Sequence, residues 1–476
     1  MSLRTFALMA DDAVLSGARP LRSVLVANRG VIARRVIRTA HAMGIRSVAV
    51  FSDADAFLPY VDDADEAIAI GGSAPKDSYL NSDAIIDAAR QSGAEAIHPG
   101  YGFLSENADF AEAVERAGLI WVGPSADSIR QLGDKVNARN RFAAAGVPTA
   151  AGSASALANV DEAIAVADRI GYPVMVKAVA GGGGIGMQVA TNDAELKTCF
   201  QTASDAAARF FGDGRVMVER FIRRARHVEI QVLGMADGTV IAMGERDCSV
   251  QRRNQKVAEE TPSPGLKSET RLAMEQAAVA GSRTLNYRNA GTVEYLLDQE
   301  TGEFSFLEMN TRLQVEHGIT EMLAGIDLVE QQLLIAGGQA VSFDPRTLMF
   351  DGHAIELRIY AEDPIRFLPS PGTITDWVEP YGEGIRVDSG YRAGNKVTHF
   401  YDPLVAKLIV WGETRSHAIE RAKWAIGGFD IRGIKTNLPF FAQLLDNSAF
   451  VRGVYDTGIA KVIVERAAAV PVEARN

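Results

Sequence analysis

The chain has 476 residues, of which 47% are hydrophobic and 23% charged; these are globular values in a chain too long for one ordinary core, so roughly two to four domains or subdomains are expected. A formal net charge of -11 leaves no basic footprint for nucleic acid or an anionic membrane surface, and no run approaches the roughly 18 apolar residues of a membrane span. Two cysteines, Cys199 and Cys248, cannot build a disulfide framework, and no Cys/His spacing resembles a zinc site, which fits a soluble protein in a reducing cytoplasm.

Residues 1–20 read as an N-terminal extension, because Asp11 and Asp12 interrupt the apolar patch Phe6 to Ala10 in a way unlike a secretory signal. From there, short apolar runs at 23–27, 46–51, 94–97 and 119–122 alternate with helical spacing after Gly30 and over 82–92 and 107–117. Such alternation predicts an α/β unit with a doubly wound parallel sheet. Ligands bind beyond the carboxyl ends of such strands, where the loops read ANRG, HPGYGFLSEN and VGPS. A tight turn opening a helix accounts for NRGVIA, which lacks the G-x-G-x-x-G spacing of a dinucleotide site.

A helix starts at Lys135, and Gly146-Val147-Pro148 marks a break before the second unit. An apolar strand ending at Lys177 then feeds four consecutive glycines, which include Gly182, Gly183 and Gly184. Glycines in such a run let backbone N–H groups approach a phosphate closely, with Lys177 as a nearby point charge, although no G-K-[ST] follows. His227, Glu229 and Gln231 alternate with Val228, Ile230 and Val232, as expected of an antiparallel strand with one polar face. Gln251, Asn254 and Lys256 are expected in an irregular polar segment rich in donors for phosphate or carboxylate. A strand over 290–298, a hairpin turn at 299–302 and a further strand would let Glu294 face Glu308. Two carboxylates that close repel unless a cation sits between them.

The stretch FSFLEMNTRLQVEH, residues 304–317, organises the rest. Read as an extended segment, it puts Glu308, Asn310, Arg312, Gln314 and Glu316 on one face and Leu307, Met309, Leu313 and Val315 on the other. The carboxylate and amide oxygens suit Mg²⁺, and the Arg312 guanidinium suits a planar oxyanion.

These motifs, with VMVKAVAGGGGIGM, ERDCSVQRRNQKV, GHAIELRIYAEDP and FLPSPGTI, resemble the biotin carboxylase family of ATP-grasp enzymes over roughly residues 21–460. The resemblance implies a three-part fold: an N-terminal biotin carboxylase domain over 21–135, an ATP-grasp body over 136–345 with a mobile lid near 152–222, and a C-terminal α+β domain over 350–465. It implies an enzyme using ATP, Mg²⁺ or Mn²⁺, and bicarbonate to carboxylate biotin. Lys135, Lys177, His227, Gln251 and Lys256 would surround ATP, and Glu219 and Ile222 would bound its adenine hinge. Glu294, Glu308 and Asn310 match the metal positions, and Arg312, Gln314 and Val315 the bicarbonate positions. Glu316 matches the general base, and Arg358 the residue facing the ureido oxygen of biotin.

Ile185 stands where acetyl-CoA carboxylase subunits carry a basic residue, and Asn254 where they carry His. GGGGIGM, QRRNQKVAEETPSP and LNYRNAGTVEY look instead like the biotin carboxylase part of urea carboxylase and related amide-carboxylating enzymes. Val31 replaces the usual glutamate of ANRGEIA, and Gly318 the usual proline after Glu-His. No biotin-acceptor Met-Lys-Met context and no carboxyltransferase unit is present, so the carrier and transferase are expected as separate polypeptides, and a homodimer is expected. A carboxylate–amine ligase of the ATP-grasp class and a nucleotide-binding scaffold without turnover are the alternatives. Intact Glu316 and Arg312 disfavour the second.

Overall fold

The computed structural model describes residues 19–179 and 187–469. Gly182, Gly183, Gly184 and Ile185 lie outside the described residues.

Five short strands form the first sheet: β1 (Ser23–Val26), β2 (Arg46–Phe51), β3 (Glu66–Ala69), β4 (Ala96–His98) and β5 (Ile120–Trp121). Their order is β3-β2-β1-β4-β5, and every pairing is parallel, as the strand–helix alternation predicts. Only β3 lacks a strand signal in the sequence, being four residues of mixed exposure at the sheet edge. Strand order reverses between β1 and β4, which opens a crevice between the loops that follow them. Asn28 ties those loops together by donating to the carbonyls of Pro99 at 2.7 Å and Tyr101 at 2.8 Å. Gly30, at φ +60°, then opens the helix Gly30–Ala42.

A smaller antiparallel sheet, in the order β7-β6-β8, contains β6 (Val174–Ala178), β7 (Gln188–Ala190) and β8 (Val216–Arg220). Helices Val160–Ile170 and Asp193–Phe211 back it, burying Val166, Leu196 and Ala203 against Val174, Val176 and Val218. Both helices start at an asparagine whose side chain caps a backbone N–H, Asn159 for Glu162 and Asn192 for Glu195; each cap contributes about 1 kcal/mol.

The largest sheet has eight antiparallel strands: β9 (Ala225–Gly234), β10 (Val240–Arg252), β11 (Gln255–Thr261), β12 (Asn289–Asp298), β13 (Phe304–Asn310), β14 (His353–Tyr360), β17 (Ile385–Ser389) and β19 (Leu404–Gly412). Their order is β13-β12-β9-β10-β11-β14-β19-β17. Two short pairs lie beside it, β15 (Gly372–Thr373) with β18 (Lys396–Val397), and β16 (Asp376–Val378) with β20 (Asp430–Arg432). Val228, Ile230 and Val232 of β9 pack into an apolar core with Val293 and Tyr295. The alternate residues His227, Glu229 and Gln231 are also buried, so the polar face of β9 meets other protein groups rather than solvent.

Two expectations are corrected. Residues 251–256 are not irregular: β10 and β11 form a hairpin whose two turn residues, Arg253 and Asn254, sit at φ +50° and +65°. Its strand character is masked in the sequence because its polar side chains pair with charges on distant segments, Arg252 with Glu362 and Lys256 with Glu229. Nor is 304–317 extended throughout. β13 ends at Asn310, and Leu307 is an extra residue in its pairing with β12, since Tyr295 opposes Phe306 while Glu294 opposes Glu308. That bulge reverses which parity faces the core. Phe304 and Phe306 pack inward before it, Met309 does so after it, and Leu307 joins Glu308 and Asn310 at the cleft. Beyond Asn310 the chain bends as a loop laid across the sheet until helix His317–Ala324 begins.

Candidate active site

A cleft of about 930 Å³ opens between the β1/β4 crevice, the small sheet and the polar face of the large sheet. Lys135, Lys177, Glu219, Ile222, His227, Gln251, Asn254, Lys256, Glu294, Glu308, Asn310, Arg312, Gln314, Val315 and Arg358 all line it. Thus residues spread over more than 200 positions of sequence converge on one cavity. Val315, expected on the face opposite Glu308, lines it as well, because a loop has no strand parity. Glu316 lies just behind the lining and is fully buried.

At one end Met175, Met187, Met217, Phe221 and Leu296 make apolar walls, and Lys177 pairs with Glu219 across β6 and β8. A planar ring fits such walls, and the lysines suit phosphate attached to it. Lys135, at the start of helix Lys135–Ala144, has its Nζ 3.5 Å from Glu308 Oε2.

In the middle, Glu294 and Glu308 are direct cross-strand partners. Like charges in that position destabilise a ladder unless a cation offsets them. Lys256 Nζ lies 2.7 Å and His227 Nε2 2.9 Å from the Glu294 carboxylate, while Asn310 Nδ2 donates to Glu294 Oε1 at 2.8 Å. Burial alone would raise the Glu294 pKa, but Lys256 and His227 outweigh it and hold the group well below the usual carboxylate range. Two carboxylates and an amide oxygen form a donor set of the hard type that Mg²⁺ or Mn²⁺ takes. His227 Nδ1 is in turn 2.8 Å from Gln251 Nε2, which fixes the ring.

At the far end Arg312 is held as a fork. Its Nε donates to Glu106 Oε2 at 2.8 Å, Nη2 to Asn310 Oδ1 at 3.0 Å and Nη1 to Gln314 Oε1 at 3.2 Å. Glu316 accepts from Lys256 at 2.8 Å and from Arg358 at 3.0 Å, with Cys248 Sγ 3.6 Å away. Burial pushes its pKa up, yet Lys256, Arg358 and Arg246 prevail, so the carboxylate stays ionised well below the ordinary value.

Several buried charges around this centre have no conspicuous sequence signal. Arg246 donates to Glu229 at 2.5 Å, Gln231 at 2.7 Å and Thr320 at 3.0 Å. Glu259 is pushed up to about 8 by burial, against the pull of Arg358. Glu356 is pushed up to about 7 by burial, against that of Lys407. Glu356 alternates with apolar neighbours in AIELR, a pattern that marks an inward-facing position, whereas Arg246 stands between Glu245 and Asp247 and Glu259 beside Glu260, where no such alternation exists.

Gly318, in place of the usual proline, lies against Ile409. A Cβ built there would meet Ile409 Cδ1 at 2.3 Å, so the isoleucine tip fills the space a larger residue would need. Among the described residues no helix is long and apolar enough to cross a membrane.

Three family models match the chain: the biotin carboxylase N-terminal domain over 20–129, the ATP-binding domain of the carbamoyl-phosphate synthase L chain over 134–343, and the biotin carboxylase C-terminal domain over 356–464. The chain is 49% identical over 438 residues to biotin carboxylase 2 of Bacillus subtilis, covering 92% of this chain and 98% of that one. It is 50% identical over 432 residues to the biotin carboxylase of Halalkalibacterium halodurans, covering 91% and 95%. Among solved structures it is similar to a Campylobacter jejuni biotin carboxylase complex, with TM-score 0.91, 43% identity and coverage of 93% and 99%. It is equally similar, with TM-score 0.91, to the biotin carboxylase domain dimer of Hydrogenobacter thermophilus 2-oxoglutarate carboxylase in complex with MgADP and bicarbonate, at 42% identity and coverage of 94% and 99%.

Proposed function

We propose, from the premise that this chain belongs to the biotin carboxylase family, that it carries out the ATP- and bicarbonate-dependent carboxylation of biotin for a biotin-dependent carboxylase. The observation that carries the proposal is the convergence of Arg312, Gln314, Glu316, Lys256 and Arg358 at one end of a cleft whose other end offers apolar walls and Lys177.

In this reading the N-terminal unit (21–135), the ATP-grasp unit (136–345, lid near 152–222) and the C-terminal unit (350–465) enclose ATP. Glu219 and Ile222 bound the adenine, Lys135, Lys177, His227, Gln251, Asn254 and Lys256 surround the phosphates, and the family resemblance would add Gly182, Gly183 and Gly184, which lie outside the described residues. Glu294, Glu308 and Asn310 hold Mg²⁺ or Mn²⁺, which when bound supplies charge neutralisation to the phosphates. Arg312, Gln314 and Val315 orient bicarbonate. Glu316 removes its proton as a bicarbonate oxygen attacks the γ-phosphorus and ADP leaves, with Lys256 balancing the charge. The resulting carboxyphosphate breaks into carbon dioxide and phosphate. Phosphate takes the ureido N–H proton of biotin, Arg358 stabilises the oxygen on which charge develops, and the nitrogen adds to carbon dioxide.

Biotin would arrive on a separate carrier protein, a separate transferase would pass the carboxyl group on, and the chain would act as a cytoplasmic homodimer. The acceptor we favour is urea or a related amide, because Ile185 and Asn254 replace the basic residue and the histidine of acetyl-CoA-type subunits.

ADP release by the purified chain with Mg-ATP tests the reading. Dependence on bicarbonate and stimulation by biotin, free or carrier-bound, is the expected result; ATP cleavage indifferent to both would overturn it. With carrier and transferase added, urea and guanidine should stimulate more than propionyl-CoA, and the reverse order would move the acceptor to the acyl-CoA class.

A further inference from the structure

One buried cation next to the cleft has no part in the chemistry above. Lys407 lies in the middle of β19 and is fully buried. Ladder register places it directly opposite Arg358 on β14 and directly opposite Asp388 on β17. Cross-strand partners share a face of the sheet. Glu356, two residues before Arg358, shares that face, and so does Glu259, its partner on β11. The floor under the 312–316 loop is therefore striped, with the carboxylates of Glu259 and Glu356 in one row and Arg358, Lys407 and Asp388 in the next.

The two cations do different things. Arg358 reaches the Glu316 carboxylate at 3.0 Å. Lys407 Nζ donates to the backbone carbonyl of Val315 at 2.5 Å, and lies 3.3 Å from Glu356 and 3.8 Å from Asp388. The bond to a neutral loop carbonyl adds nothing to charge balance, which falls to Glu356 and to an Asp388 shared with Arg386 and Arg38. It does fix the peptide plane joining Val315 to Glu316. One sheet face thus grips consecutive residues of the loop, one by its backbone and one by its side chain.

We infer that Lys407 is a positioning residue for bicarbonate, acting through the Val315 carbonyl to hold the Val315–Glu316 peptide where the anion and its base meet. The inference rests on the biotin carboxylation reading above. It is a role in geometry, since Lys407 is outside the lining of the cleft. Displacing reacting groups by about 1 Å can cost about 100-fold in rate, and the loss should fall on the substrate this loop holds.

Steady-state kinetics of Lys407→Met test it. The KM for bicarbonate should rise about 10-fold or more with a fall in kcat, while the KM for ATP stays within about twofold. Glu356→Gln removes the carboxylate partner but keeps the carbonyl bond, and should leave the bicarbonate KM within about twofold. If Lys407→Met does not fold, Lys407→Met/Glu356→Gln replaces the ion pair by a neutral pair, which buried sites tolerate better than a lone charge. The double variant should show the same selective rise. An unchanged bicarbonate KM in whichever Lys407 variant folds, or an equal rise in Glu356→Gln, overturns the inference while wild-type turnover keeps the parent reading intact. A wild-type chain without bicarbonate-dependent turnover overturns both.

Discussion

Glu259 and Glu260 are neighbours in sequence, both fully buried, and they live in opposite worlds. Glu260 points behind the large sheet, where His353 and Arg415 approach it at 2.6 Å and the Tyr455 hydroxyl donates to it at 2.5 Å. Those partners pull its pKa down to about 2 against the effect of burial. Around it Asp247 pairs with Arg226 at 2.7 Å and accepts from Ser263 at 2.9 Å, so charge is matched inside a closed cluster. Glu259 points to the cleft side, where Arg358 Nη2 lies 2.5 Å from its Oε1 while Glu316 and Glu356 repel it. The back cluster is satisfied by the protein itself. In the front cluster Glu229, Glu259, Glu294, Glu316 and Glu356 crowd together and share few cations, Lys256 reaching three of them and Arg358 two. Stability is invested behind the sheet and reactivity in front of it.

That division can be broken by substitutions on each side. The largest effect is expected from Glu316→Gln, which should lower biotin-stimulated ADP release about 1000-fold, or about 4 kcal/mol in the barrier, with ATP affinity measured by equilibrium dialysis changed less than about threefold. A melting temperature collapse as large as the kinetic one would assign Glu316 to structure. Glu260→Gln should do the reverse and cost about 3 kcal/mol in urea unfolding, because His353, Arg415 and Tyr455 lose the charge they surround and one of the two oxygens that accept from them. Its kinetic constants, measured well below the melting temperature, should stay within about twofold.

The two glutamates should also differ in the sign of their pH dependence. Glu259, with its folded value raised to about 8, binds its proton more tightly in the native than in the unfolded chain. Stability from it is present at acid pH and lost as pH rises toward 8. Glu260, with its value lowered to about 2, contributes stability that is complete above the unfolded carboxylate range and lost as pH falls toward 2. Glu259→Gln should therefore remove about 1–2 kcal/mol of the decline in stability between pH 5 and pH 8. Parallel urea midpoints for wild type and variant across that interval would refute the assignment. The smallest effect, about 1 kcal/mol, is expected from Gly318→Ala, whose new methyl presses on Ile409; Ile409→Val should relieve it, and the failure of that rescue in thermal melts would point to the loop backbone instead.

The parallel N-terminal sheet is legible, β3 apart, because short mainly apolar runs alternate with regularly spaced helices. The β12–β13 hairpin is legible from its short turn, but that turn's register alone would set Glu294 opposite Leu307, and it is the bulge that brings it to Glu308. The β10–β11 hairpin is not, since Arg252 and Lys256 serve partners far away in sequence, and no local alternation reports an ion pair formed across a fold. Leu307 hides its bulge for a similar reason: an inserted residue changes facing without changing composition. Lys407 and Glu356 look like ordinary strand charges until β14 and β19 are placed side by side under the 312–316 loop.

That placement has a consequence for synthesis. β11 hydrogen-bonds to β14, and β14 to β19, so the loop carrying Arg312 and Glu316 rests on strands translated later than the loop itself. While a ribosome is still adding residues 312–352, β11 is a bare sheet edge and the loop over 312–316 has no floor. N-terminal segments fold first as they emerge, but here the earlier part must wait for the later one. We predict that ribosome-stalled chains ending near residue 345 remain protease-sensitive over 240–320, whereas chains carrying residue 412 clear of the exit tunnel become protected; equal protection in both would show that the floor is dispensable for folding. The floor beneath the 312–316 loop is complete only once residue 412 has been made.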